Sequence, residues 1–286
     1  MIFITCPKSF KVPLFKKIQV NALVSWIELY PTASFLLFCE DLCLDSSEKY
    51  YELFKKMRAG GKLKYIDSVK GIDGVPYISG IFDEAFKIAS DDEYVVYINS
   101  DIILFSDFKR TLDYLNLKIS KKKRILFTGS RWDWSVPEEI DFLNNNWDKK
   151  IRDQVLRCGC QHKGTGKDYF VVNKRTYKIY PNFLIGRFYW DAWIHRMGLN
   201  TRNVFFVDMT KTTLVVHQDH QVDIRKEESF SEQQEYNRIL YKKNRPTNRI
   251  KGCNNYFTDN SSAKKVIIKS MQNKKIKRVK RLERIS

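Results

Sequence analysis

Asn99-Ser100-Asp101 is the segment of this sequence best suited to hold a charged ligand. It follows the continuous apolar run 94–98 (YVVYI) and precedes Ile102-Ile103-Leu104. A carboxylate fixed at the end of a buried strand can bind a divalent cation. Hard cations of the Mg2+ or Mn2+ type take oxygen ligands, commonly one or two protein carboxylates plus phosphate oxygens. Asp101 is placed to bind such an ion directly. Asn99 would act through water or a ribose hydroxyl, and Ser100 belongs to the same ligand-binding segment. His217-Gln218-Asp219-His220 contains two of the four histidines and follows the strand-like run 213–216. An imidazole there can complete the sphere of a Mn2+ ion already held by a carboxylate. Both His217 and His220 are candidates, with His217 preferred because it directly follows the apolar run. Their plainer reading is a surface histidine pair near a turn.

Asp191, in Trp190-Asp191-Ala192-Trp193, sits where a helix is predicted to begin. A carboxylate there is stabilised by free N–H groups and the helix dipole, so it can be simply a cap. It can also be a general base that removes a hydroxyl proton, with tryptophan rings packing on sugar faces. Asp168, after Gly164-Thr165-Gly166, is a second catalytic carboxylate candidate. Glu40 and Asp41 follow an early apolar run and suit hydrogen bonds to a base or ribose. Thr5 and Pro7 occupy the equivalent place after the first strand, and Arg131 and Arg187 are candidate diphosphate clamps.

The elements that must position these groups alternate. Strands are predicted at Ile2–Thr5, 33–39, 63–66 and 94–98, and helices over 14–29, 47–57 and 78–90. Apolar residues at three-to-four spacing make 14–29 read as an amphipathic helix. Such alternation means parallel strands joined by crossovers, and runs such as FLLF and YVVYI fit strands covered on both faces. Ligands bind such sheets at the carboxyl ends of the strands, where the residues named above lie. Further on, strands are predicted at 125–128, 168–172, 203–207 and 213–216, a polar helical stretch at 137–156, and polar helix from about 226. The fold class is therefore α/β, one core over 1–225 followed by a polar and basic helical extension over 226–286.

At 286 residues and 43% hydrophobic content, the chain can bury one sizeable core. No run approaches the length of a membrane span, and the opening MIFITCPK reads as a strand rather than a signal peptide. Cys6, Cys39, Cys43, Cys158, Cys160 and Cys253 have neither a disulfide-framework nor a zinc spacing. They are expected as reduced thiols in a protein of the cytosol or the cytosolic face of a membrane, not a secreted one. The formal charge of +18 is partly concentrated over 264–284, where apolar residues interrupt the lysines and arginines. That segment fits peripheral contact with an anionic membrane. There is no phosphate-binding Gly-x-x-x-x-Gly-Lys-Ser/Thr, no Gly-x-Gly-x-x-Gly before the first helix and no Gly-x-Ser-x-Gly elbow.

The ordered set Gln19-Val20-Asn21-Ala22, Tyr97 through Leu104, Gly129-Ser130-Arg131-Trp132-Asp133, Lys167-Asp168-Tyr169-Phe170-Val171, Gly186-Arg187, Trp190-Asp191-Ala192-Trp193, Val207-Asp208-Met209-Thr210 and His217 through His220 resembles a widespread group of glycosyltransferases with GT-A, nucleotide-diphospho-sugar transferase folds. The resemblance covers about residues 2–221. It implies a GT-A-like, mixed but mostly parallel sheet flanked by helices. It places Asn99 and Asp101 at the Asp-x-Asp metal motif, Asp191 at the base of inverting members and a late histidine, 217 or 220, as third metal ligand. The implied donor is a nucleoside-diphosphate sugar of UDP or GDP type, with Mn2+ or Mg2+. The implied acceptor is a glycan, glycolipid or glycoprotein hydroxyl, including lipid-linked glycans. Two other classes remain in view. One is a polyanion-binding protein on the same fold, motivated by charge, although nucleic acid is not the expected partner. The other is a sugar nucleotidyltransferase, disfavoured by the lack of a Gly-rich basic loop after the first strand.

Overall fold

In the computed structural model, described residues are 1–120, 122–136, 138–162, 166–220 and 229–246, with the strand backbones 254–259, 265–268 and 278–279. The chain begins β1 (Ile2–Thr5), α1 (Pro13–Leu29), β2 (Ser34–Leu37), α2 (Tyr51–Ala59), β3 (Leu63–Tyr65), the short hairpin β4 (Gly71–Ile72) and β5 (Val75–Pro76), α3 (Ile78–Ile88) and β6 (Val95–Ile98). It continues through β7 (Ile102–Leu104), α4 (Ser106–Lys118), β8 (Arg124–Thr128), β9 (Trp132–Trp134), α5 (Trp147–Cys158), β10 (Cys160–Gln161) and β11 (Tyr169–Val172). Then come α6 (Trp190–Asn200), β12 (Val204–Asp208), β13 (Val215–Gln218), α7 (Phe230–Asn244), β14 (Asn254–Asp259), β15 (Lys265–Ile268) and β16 (Arg278–Val279).

The main sheet runs β16-β15-β14-β12-β8-β11-β6-β1-β2-β3. Strands β3, β2, β1 and β6 are mutually parallel, as the alternating apolar runs predict, and β12 is parallel to β8 and β14. Strand β11 is inserted antiparallel between β6 and β8. This reversal brings residues 167 and 168, just before β11, to the carboxyl ends of β6 and β8. Both sheet faces are buried. Phe3, Phe35, Val96 and Phe127 pack on one side, while Ile2, Leu36, Val95 and Leu126 pack on the other. The architecture is the mixed, mostly parallel, helix-flanked one that was expected.

A second sheet, β10-β9-β13-β7, frames the site. Helix α1 lies against it, and this explains a departure from expectation. Residues 18–27 of α1 are all buried, including Gln19, Asn21 and Ser25, so the helix is enclosed rather than amphipathic. Its polar groups are spent on the neighbouring strand: Trp26 Nε1 donates to the carbonyl of Ile102 at 2.8 Å, and Ser25 Oγ accepts from the Leu104 amide at 3.2 Å. The helical stretch anticipated over 137–156 forms only from Trp147, and His217 lies within β13 rather than after it. In the extension, α7 is helical but 254–259, 265–268 and 278–279 are strands that widen the sheet. The rest of the basic stretch 264–284 lies outside the described residues. No helix among the described residues is long and apolar enough to cross a membrane.

Candidate metal and sugar-nucleotide site

Strand β6 ends at Ile98 and the chain turns through Asn99 to Asp101 before β7. The turn is fixed from both sides. The Asn99 amide donates to the Asp168 carbonyl at 2.9 Å, and the Ile102 amide donates back to Asn99 at 3.2 Å. The antiparallel register sets His217 of β13 opposite Ile102, one residue from Asp101. Gln218 locks that register: its backbone N–H and its side-chain Nε2 each donate to the Asp101 carbonyl at 3.1 Å. The Gln218 side-chain oxygen in turn accepts from Asn21 at 3.0 Å. Ser100 is held by the same helix, its Oγ donating to Gln19 at 2.9 Å. Ser100 is buried against α1.

The result is a triad. Asp101 Oδ2 lies 3.5 Å from His217 Nε2 and 3.4 Å from His220 Nε2, and the three potential donor atoms fall within 4.8 Å of one another. These separations are long for hydrogen bonds but close to those of donors arranged about 2.1 Å from one shared ion. Asp101 Oδ1 is buried without a hydrogen-bond partner among the described residues. One carboxylate and two imidazoles suit Mn2+ and its transition-metal neighbours better than Mg2+, which favours oxygen. The residues fit a divalent metal on these grounds. Burial alone would push the Asp101 carboxyl up, but the two histidines outweigh it and hold the group well below the usual carboxylate range. Burial disfavours charge on His217, yet Asp101 raises its pKa above the ordinary imidazole value.

Beside the triad, Asn99 and Asp168 meet across β6 and β11. Tyr97 donates its hydroxyl to Asn99 Oδ1 at 2.8 Å, and Asn99 Nδ2 donates to Asp168 Oδ1 at 3.0 Å. Arg131 donates to Asp168 Oδ2 at 2.6 Å and to Asp133 Oδ1 at 2.7 Å. Burial pushes the Asp168 carboxyl up, with Arg131 opposing and Asp101 adding to the rise. Both oxygens of Asp168 are engaged, and the carboxylate bridges Asn99 to Arg131. Asp191 stands in the first turn of α6, after Tyr189 in a left-handed conformation with φ of 86°. Burial pushes its carboxyl up to about 6; the Ala192 amide works against this and the Asp168 charge adds to it. The amides of the first turn favour the anion, as at a helix cap, and burial outweighs them.

The other candidates divide. Thr5 closes β1, buried, with Oγ1 lacking a hydrogen-bond partner among the described residues; Pro7 follows it, partly exposed. Glu40 and Asp41 are exposed after β2, and Asp41 accepts from the Leu42 amide at 2.6 Å. Arg187 is drawn toward α7: its Nε donates to Gln233 at 2.8 Å and its guanidinium lies 5.1 Å from the Phe230 ring centre. Two further groups escaped the sequence reading. Asp133 and His162 stand behind His217, and a buried Lys167 donates to Ser130 at 3.1 Å and pairs with Asp208 at 3.4 Å. The signal for Asp133 is its place two residues after Arg131 in the Gly129-to-Asp133 motif.

No protein-family model matches the chain, and no curated protein matches it. Among solved structures it is similar to GalNAc-T7 with UDP, GalNAc and Mn2+, at 10% identity and a TM-score of 0.42, over 84% of this chain and 48% of that one. It is similar also to the inositol-1-phosphate CTP transferase from T. maritima, at 12% identity and a TM-score of 0.38, over 82% and 96% of the two chains. A third is the galactosyltransferase LgtC in complex with donor and acceptor sugar analogs, at 15% identity and a TM-score of 0.30, over 62% and 59%. The chain spans about half the length of the GalNAc-T7 structure it resembles. Likeness at this level concerns the fold alone.

Proposed function

We propose that this protein is a GT-A-type, metal-dependent glycosyltransferase that moves a sugar from a nucleoside-diphosphate sugar to a hydroxyl acceptor. The observation that carries the reading is the meeting of Asp101, His217 and His220 at the carboxyl end of β6, beside Asn99, Asp168 and Arg131. A divalent ion of the Mn2+ class, when bound there, would neutralise the departing diphosphate. Asn99 would orient the donor ribose or an ion-bound water. Arg131 would supply positive charge to the phosphates, with Asp168 and Asp133 holding it in place. Thr5, Glu40 and Asp41 lie at the ends of adjacent strands on the same edge and would meet the nucleoside.

Asp191 would take the acceptor proton. A carboxyl near 6 is ionised at neutral pH yet more basic than an ordinary aspartate, which suits a general base. As the hydroxyl oxygen forms its bond to the anomeric carbon, its proton passes to Asp191. The bond from that carbon to the phosphate oxygen breaks, and its electron pair leaves with the nucleoside diphosphate. A single direct displacement inverts the anomeric centre. The acceptor would be a glycan, glycolipid or glycoprotein. A lipid-linked acceptor would suit a cytosolic enzyme bound peripherally to an anionic membrane through 264–284.

The test is a thermal-shift and hydrolysis screen of UDP-, GDP- and dTDP-sugars, with and without Mn2+. A Mn2+-dependent shift and slow donor hydrolysis with one nucleotide class are expected. Strongly salt-dependent binding to DNA or RNA with no response to any nucleotide sugar would replace this reading with polyanion binding.

A further inference from the structure

The second sheet sets another row of titratable groups behind the metal-capable triad. Asp133 lies in β9, opposite His217 in the parallel register of β9 and β13. Its Oδ1 stands 3.3 Å from His217 Nδ1, the ring nitrogen turned away from Asp101. Its Oδ2 meets His162 Nδ1 at 2.9 Å. Carboxylates and imidazoles thus alternate from His162 through Asp133, His217 and Asp101 to His220. The Asp133 Oδ1 that faces His217 also accepts from Arg131. His217 Nδ1 is buried and makes no well-aligned hydrogen bond in the described residues; the Asp133 oxygen is the acceptor it faces.

We infer that Asp133 is a positioning residue for a transition-metal ion at Asp101, His217 and His220. A neutral imidazole carries one N–H and one lone pair. A carboxylate facing Nδ1 selects the tautomer with the proton on Nδ1, and this leaves the Nε2 lone pair for the ion. Such outer carboxylates orient a metal-binding ring and raise its basicity, and losing one typically costs 10–100-fold in metal affinity. His162 and Arg131 hold Asp133 from its other sides. Their approach depends on Gly166: a Cβ there would fall 2.7 Å from His162 Cδ2 and 3.2 Å from Arg131 Cγ. Asp133 also joins two halves of the site, since Arg131 reaches from it to Asp168. This inference rests on the metal reading of the triad and adds the group that sets its donor atom.

The experiment titrates Mn2+ into the full chain at pH 7.5 and follows the free-ion electron paramagnetic resonance signal. Wild type should bind Mn2+, and Asp101→Ala should not. Asp133→Asn should bind roughly 10–100-fold more weakly with its urea midpoint nearly unchanged. Gly166→Ala, which alters no donor atom, should weaken binding by a smaller factor. In the Zn2+-loaded protein, long-range proton–nitrogen NMR should show His217 protonated on Nδ1 in wild type and a tautomer mixture in Asp133→Asn. Wild-type affinity and an unchanged tautomer in Asp133→Asn, with Asp101→Ala still unable to bind, would overturn the role of Asp133 alone. Absence of Mn2+ binding by wild type would overturn the metal reading and this inference together.

Discussion

Replacing Asp191 by asparagine should stabilise the folded protein while it removes activity, and the gain should depend on pH in a set direction. The Asp191 carboxyl is raised from an ordinary value of 3.8 to about 6 in the folded chain. Below pH 3.8 it is protonated in both folded and unfolded states, and ionisation contributes nothing to the balance. Between 3.8 and 6 the folded state holds the proton more tightly, so stability falls as pH rises. Above 6 the folded state carries the full cost of a partly buried anion. The rise from 3.8 to about 6 corresponds to roughly 3 kcal/mol. Asparagine keeps the shape and an acceptor for the Ala192 amide but cannot ionise. Urea denaturation in EDTA-containing buffers from pH 4 to pH 8 would therefore show the variant within about 0.5 kcal/mol of wild type at pH 4. It should exceed wild type by about 2–3 kcal/mol at pH 8. Loss of a charged helix cap would instead lower stability by about 0.3–1 kcal/mol at neutral pH. A variant less stable at pH 8, or a difference that does not change with pH, would refute the argument that burial dominates at this carboxyl. With it would go the physical reason for naming Asp191 the base. If the base assignment holds, transfer falls by about 10²–10⁴-fold in the same variant.

Other outcomes follow from the same contacts. Mn2+ at about 100 times its dissociation constant should stabilise wild type by about 2.7 kcal/mol and leave Asp101→Ala unmoved, measured by melting with and without the ion. Gln218→Ala should cost roughly 2–4 kcal/mol in urea denaturation, since Asn21 loses its acceptor and the Asp101 and Ile18 carbonyls lose a donor. Gly198→Ala should destabilise by about 1–3 kcal/mol despite the better helix propensity of alanine. Its new methyl would lie 2.2 Å from Leu126 and 2.7 Å from Phe206, and a neutral effect in thermal melts would show that this layer can relax.

The parts of this molecule written in local pattern were legible. The runs 94–98 and 33–39 announce strands because both faces are covered, and Asp101 and Asp191 could be singled out because each adjoins a recognisable strand end or helix start. What escaped depends on partners distant in sequence. Strand β7 has three residues, too few for a period, and becomes a strand only by pairing with β13 more than a hundred residues later. Asp133 gains its meaning from β9 lying beside that same strand. Helix α1 was legible as a helix but not as an enclosed one, because its polar residues look solvent-facing until the second sheet supplies their partners. Arg187 has the charge of a phosphate clamp, and only the arrival of α7 shows where its guanidinium goes.

The side-chain amides of Asn21 and Gln218 meet directly although 197 positions separate them. Through this contact the last strand of the small sheet fastens the first helix to the turn that carries Asp101. The early strands can pair and collapse without it, because their crossovers are local. The triad cannot exist until β13 has docked, since two of its three members arrive with that strand. Long-range pairings of this kind form late, after the entropy of closing the intervening chain has been overcome. During synthesis the early parallel strands β1, β2, β3 and β6 would thus come together before the triad could form. Gain of Mn2+ binding would report the docking of β13 on β7, and a chain in which that strand has not docked would not hold the ion.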